Sequence, residues 1–210
     1  MVHNDITLPE VRFSYAWLLN EASSVMNEKY GDGTPLQSFE FYNEVAEKYQ
    51  AWWQPHNDAI LEGIQEITGL GFRQNIIDVH VAPWFYAISN PMVIGVIFKT
   101  EDELINVVTH ELIHRLLTDN TTYEFGFDFV AQWQSLFGSN HSHKTLVHIP
   151  VHAIMEKLYV HILKRPDLTQ LDKLKVADNE EYAKAWNYVD KQGSQAIIDA
   201  LITARNEYPS

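Results

Sequence analysis

The chain has no cysteine, which excludes disulfides, thiolate zinc ligands and thiol nucleophiles together. Positive charge is also scarce: 15 Lys and Arg stand against 28 Asp and Glu, for a net charge of −13. That balance repels phosphate backbones and anionic bilayers, so neither nucleic acid nor a membrane surface is an expected partner. No apolar run approaches the roughly 18 residues of a membrane-spanning helix. The opening MVHNDITLPEVRF lacks the basic-then-apolar pattern of a secretory signal, so the expected location is cytoplasmic. What remains is ample for folding. Hydrophobic residues make up 46% and aromatic residues 12% of 210 positions, enough for one domain with a sizeable core.

The periodicity predicts a mainly helical α+β domain spanning residues 1–210, with helices to residue 75, strands and central helices over 76–165, and C-terminal helices over 166–210. A first helix is read after Pro9, through Val11, Tyr15, Leu18 and Val25, and a turn over residues 30–35. A second starts at Ser38 and is interrupted at Pro55, after which Ile60, Ile64 and Ile67 resume the period. Its aromatics, Phe39, Phe41, Tyr42, Tyr49, Trp52 and Trp53, read as core rather than as a binding groove. Residues 76–82 and 92–99 read as strands, with His80 as a sheet histidine. A short helix is expected to end at Gly138, followed by a loop carrying His141 and His143. After Pro166 two amphipathic helices are expected, separated at Gly193.

One stretch carries chemistry. Residues 100–119, TEDELINVVTHELIHRLLTD, contain His110-Glu111-Leu112-Ile113-His114, the pattern H-E-x-x-H. With ten histidines in the chain, about 0.04 such matches are expected by chance, so context has to decide. The context is a helix. Thr100 and Glu103 form a capping box, and Glu101, Asp102 and Glu103 place negative charge on the first turn. Leu104, Ile105, Val108, Leu112 and Leu116 make an apolar stripe, while Glu103, Asn106, His110 and His114 gather on another side. Two imidazoles at i and i+4 can reach one ion, and Glu111 beside them is placed to take a proton from water. The expected cofactor is one Zn²⁺ per chain.

A catalytic zinc normally has three protein ligands. The third is sought in residues 147–159, VHIPVHAIMEKLY. Pro150 suits a first helical turn, which would leave His148 outside the helix and His152 on it. His152 is therefore read as the third ligand. Glu156 is read as the carboxylate that orients it and Tyr159 as a donor to a developing oxyanion. His148 is the alternative ligand, because the chain could instead be helical from Lys144 with a proline kink.

With these residues in place, the chain resembles the zincin metallopeptidases in their thermolysin-like, gluzincin arrangement. The resemblance covers about residues 76–164, and HELIH is its specific part. Residues 93–98 would be the edge strand, 101–117 the active-site helix and 150–164 the second helix. That family usually places a glutamate ligand there, so His152 departs from it. The longer metzincin pattern is absent, because Leu117 and Asn120 occupy its Gly and last His positions. The resemblance implies hydrolysis of a peptide or protein substrate, held extended along the edge strand, by metal-activated water with Glu111 as general base. Two other functions compete with it: a zincin-fold metal protein that binds a partner without turnover, and a zinc hydrolase of another amide.

Overall fold

The computed structural model describes residues 8–19, 25, 36–83, 85–120 and 127–207. It is mainly helical with a small four-stranded mixed sheet, an α+β architecture. The chain divides into two compact units, residues 1–58 with 74–115 and residues 59–73 with 116–210. Among the described residues, no helix is long and apolar enough to cross a membrane.

The first unit holds the sheet. β1 (Glu10–Tyr15), β2 (Ile76–Val81), β3 (Ala87–Ser89) and β4 (Met92–Ile94) lie in the order β1-β2-β4-β3. β1, β2 and β4 are parallel, and β3 runs antiparallel to β4. β1 overturns the helix expected after Pro9. The run E-V-R-F-S-Y satisfies both periods, since Val11 and Tyr15 fit a helix and Val11, Phe13 and Tyr15 fit a strand. Pairing decides the matter. β1 runs in register with β2 from Glu10↔Ile76 to Tyr15↔Val81. Gln50 also clasps the strand, accepting from the Phe13 N–H at 2.9 Å and donating to the Val11 carbonyl at 3.2 Å. Helical structure starts only at residue 17, and most of the predicted helix beyond it, with the turn at 30–35, lies outside the described residues.

α1 (Phe39–Trp53) starts where the sequence places it, with the Ser38 hydroxyl accepting from the Phe41 N–H at 3.2 Å. It packs on β1 with Tyr42, Val45, Tyr49 and Trp53 buried, while Phe39 and Phe41 are exposed. A 3-10 turn at Gln54–His56 holds Pro55, and α2 (Asn57–Thr68) follows. The strand expected over 92–99 stops at Ile94. At Gly95 a Cβ would collide with the Phe85 carbonyl oxygen, and the Gly95 N–H instead donates to the Tyr86 carbonyl at 2.9 Å. β4 is paired on both sides, so β1 and β3 form the sheet's edges and residues 93–98 do not. α3 (Glu101–Asp119) begins with the expected cap: Thr100 Oγ1 accepts from the Glu103 N–H, and the Glu103 carboxylate accepts from the Lys99 N–H.

The second unit is a helical bundle. α4 (Phe127–Phe137) ends at Gly138, in the left-handed region at φ 103°, as read. α5 (His143–Glu156) overturns the helix start assigned to Pro150, which lies inside the helix. The true start is Ser142, whose hydroxyl accepts from the Thr145 N–H at 3.1 Å. Proline here costs one ladder hydrogen bond, to the Leu146 carbonyl. The helix tolerates that cost because Leu146, Ile149, Val151, Ala153, Ile154 and Met155 are all fully buried. After Glu156 the chain widens into a π-helical stretch, Lys157–Ile162, and closes with Lys164 at φ 57°.

Three helices follow where two were expected: α6 (Pro166–Lys175), α7 (Glu180–Gln192) and α8 (Ser194–Glu207). The extra break lies at Val176–Asn179. Asn179 sits at the N-cap position of α7, with Glu180 and Glu181 on its first turn, a start signal that outweighs the continuous period. The break at Gly193 stands, at φ 84°. α5 lies at the centre of this unit, packed on α4, α7 and α8.

Candidate metal centre

The centre starts from α3. Its apolar stripe is fully used: Leu104, Ile105, Val108, Leu112 and Leu116 are each at most 1% exposed. The side bearing the polar residues is covered as well, since Asn106, His110 and Glu111 are buried and His114 is partly so. One turn apart on this helix, His110 Nε2 and His114 Nε2 stand 3.0 Å from each other. Two imidazole ligands at ~2.0–2.1 Å from a tetrahedral ion are about 3.3 Å apart, so the pair is preset within a few tenths of an ångström of a chelating geometry. Glu111 lies between them in sequence. Burial pushes its carboxyl up to about 7, out of the ordinary carboxylate range and into that of a general base at neutral pH.

On α5, His148 and His152 are also one turn apart, with ring centroids at 5.7 Å. His148 lies inside this helix, not outside it as the Pro150 start would place it. His148 is buried, and its Nδ1 lies 2.6 Å from the Lys144 carbonyl oxygen. A carbonyl only accepts, so Nδ1 carries the proton and Nε2 keeps its lone pair. Burial lowers the ring's pKa to about 4, which holds it neutral at pH 7, as a ligand must be. Tyr182 covers the ring at 4.0 Å between centroids.

His152 has different company. It is fully buried, stacked on Trp186 at 4.4 Å and 10°, with Nε2 3.9 Å from Asp172 Oδ2. Asp172 in turn accepts from Trp186 Nε1 at 2.8 Å, and burial raises its pKa to about 6. Glu156 is half-buried at the end of α5 and makes no hydrogen bond to His152; the carboxylate beside that ring is Asp172. Tyr159 is fully buried within the π-helical stretch.

Among the described residues, one ring nitrogen from each of His110, His114 and His148 lies within 4.8 Å of the other two. No family model matches the chain, and neither a curated protein nor a solved structure matches it. Sequence reading did not single out Tyr182, Asp172 or Trp186. One signal pointed to His148 all the same: Ser142 three residues before Thr145 is a good N-cap, and it starts a helix early enough to include both histidines.

Proposed function

We propose that the chain is a zinc-dependent metallopeptidase of zincin type, with His110, His114 and His148 as ligands and Glu111 as general base. The observation that carries this reading is the 3.0 Å approach of His110 Nε2 to His114 Nε2 with Glu111 buried beside them. His148 is favoured over His152 because its proton is fixed on Nδ1 and one of its ring nitrogens lies within 4.8 Å of a nitrogen of both His110 and His114. A zinc ion there supplies a more acidic water and a polarised scissile carbonyl. The protein's own part is to hold and move a proton. Glu111, poised near neutrality, accepts it from the attacking water and returns it to the leaving amine. The peptide would be any segment able to lie extended beside α3.

The test is Glu111→Gln beside wild type, read for both zinc content and peptide hydrolysis. The variant is expected to keep its zinc and lose about 10²–10⁴ in rate. Hydrolysis at the wild-type rate with zinc bound would overturn the reading.

A further inference from the structure

A cavity lies wholly within the helical unit. It has a volume of about 90 Å³, and its walls include Leu117, Trp133, Leu136, Ile198 and Leu201. At the ~10–15 Å³ that one water needs, it accommodates about seven water-sized groups. Ile198, Leu201 and Ile202 all line it, at the i, i+3, i+4 spacing of one face of α8.

Arg205, on the next turn of that face, supplies the cavity's cationic group. Its Nη1 donates to the Thr68 carbonyl at 2.9 Å, and this is its one hydrogen bond among the described residues. A guanidinium has five N–H donors, so most of its capacity is left for a partner in the cavity. Next to Thr68, Gly69 turns the chain at φ 64°, and the guanidinium packs over it, with Nη1 3.4 Å from the place a Cβ would take, an ordinary van der Waals distance. An apolar chamber with one oriented cation is the pattern of a site for a small amphiphile. A chain with a net charge of −13 has also placed one of its few cations there.

We propose that this cavity binds a small organic carboxylate with an apolar body of about six to eight carbons, its head on Arg205 and its tail along α8. Carboxylate suits the planar guanidinium, which can offer two parallel N–H donors. The competing view is that Arg205 only caps the carbonyl end of α2.

The experiment is calorimetric titration of the full chain with octanoate and, separately, octanol, in the presence of a chelator so that no metal competes for the head group. Octanoate is expected to bind one per chain and at least tenfold more tightly than octanol. Arg205→Gln should reduce octanoate affinity at least tenfold, to the level of octanol. Leu201→Trp, which fills the chamber, should abolish both. Equal affinity for the two ligands, unchanged octanoate binding in Arg205→Gln, or no saturable binding would overturn the proposal. If Arg205→Gln fails to fold, the octanoate-to-octanol ratio in wild type decides alone.

Discussion

The molecule contains two histidine pairs at the same i, i+4 spacing, and they are held differently. On α3, His110 and His114 turn their Nε2 atoms towards each other at 3.0 Å, with ring centroids 4.8 Å apart. On α5, each ring is claimed separately, His148 by the Lys144 carbonyl and Tyr182, and His152 by Trp186 and Asp172. Spacing places two rings on one helical face, but the neighbours decide where the lone pairs point. A ligand is best served by a ring whose proton is fixed on one nitrogen, which leaves the lone pair on the other. His148 has its proton fixed on Nδ1 by the Lys144 carbonyl. His152 is packed like a core aromatic.

Single substitutions sharpen this contrast. The largest effect is expected from removing a proposed ligand: His110→Ala, His114→Ala or His148→Ala should each weaken zinc binding more than a hundredfold, measured by competition with a chelating dye. His152→Ala should leave zinc affinity within about threefold, yet cost about 3–4 kcal/mol in denaturant unfolding, because it empties a buried aromatic stack. Zinc loss in His152→Ala alone, with His148→Ala still loaded, would reverse the assignment of the two rings.

Asp172 gives the next effect, and it depends on pH. Its folded pKa of about 6 lies above the ordinary 3.8, so it binds its proton more tightly in the folded state. The stability that this contributes is fully present below about pH 4 and is lost as pH rises through 6. Asp172→Asn should therefore gain on wild type between pH 4 and 6.5, by up to about 3 kcal/mol, while still accepting from Trp186. Urea midpoints across that range would show the gap widening, and a constant gap would mean that the carboxylate is not desolvated. The smallest effect is expected at Tyr182. Tyr182→Leu removes the cover from the His148 ring and should weaken zinc binding about tenfold, without a matching change in Tyr182→Phe.

Much of this was legible in the sequence, and the failures have local causes. The caps at Ser38 and Thr100, the break at Pro55 and the ends at Gly138 and Gly193 are short-range chemistry, which a sequence records directly. The first strand was not, because Val11, Phe13 and Tyr15 satisfy two periods and only pairing with residues 76–81 chooses between them. Pro150 misled for a related reason. A proline marks a preferred helix start, but here Ser142 offered an earlier cap and the buried face of α5 carried the helix through. The H-E-x-x-H helix was readable from its own residues. The partners of His148 and His152 were not, since Tyr182 and Trp186 arrive from 30 or more positions away.

The π-helical stretch has a consequence for how the chain tolerates changes of length. The Leu163 N–H reaches back five residues to the Leu158 carbonyl, and the Arg165 N–H reaches six, to Tyr159. The segment thus holds about one residue more than an α-helical ladder requires. Deleting that surplus residue would let regular i→i−4 bonding continue from α5 while swinging the following chain by about 100° around the helix axis. The heading of α6, and with it the delivery of Asp172 to His152, is thereby encoded in a single surplus peptide unit, and a one-residue deletion there would act as a rotation of everything downstream.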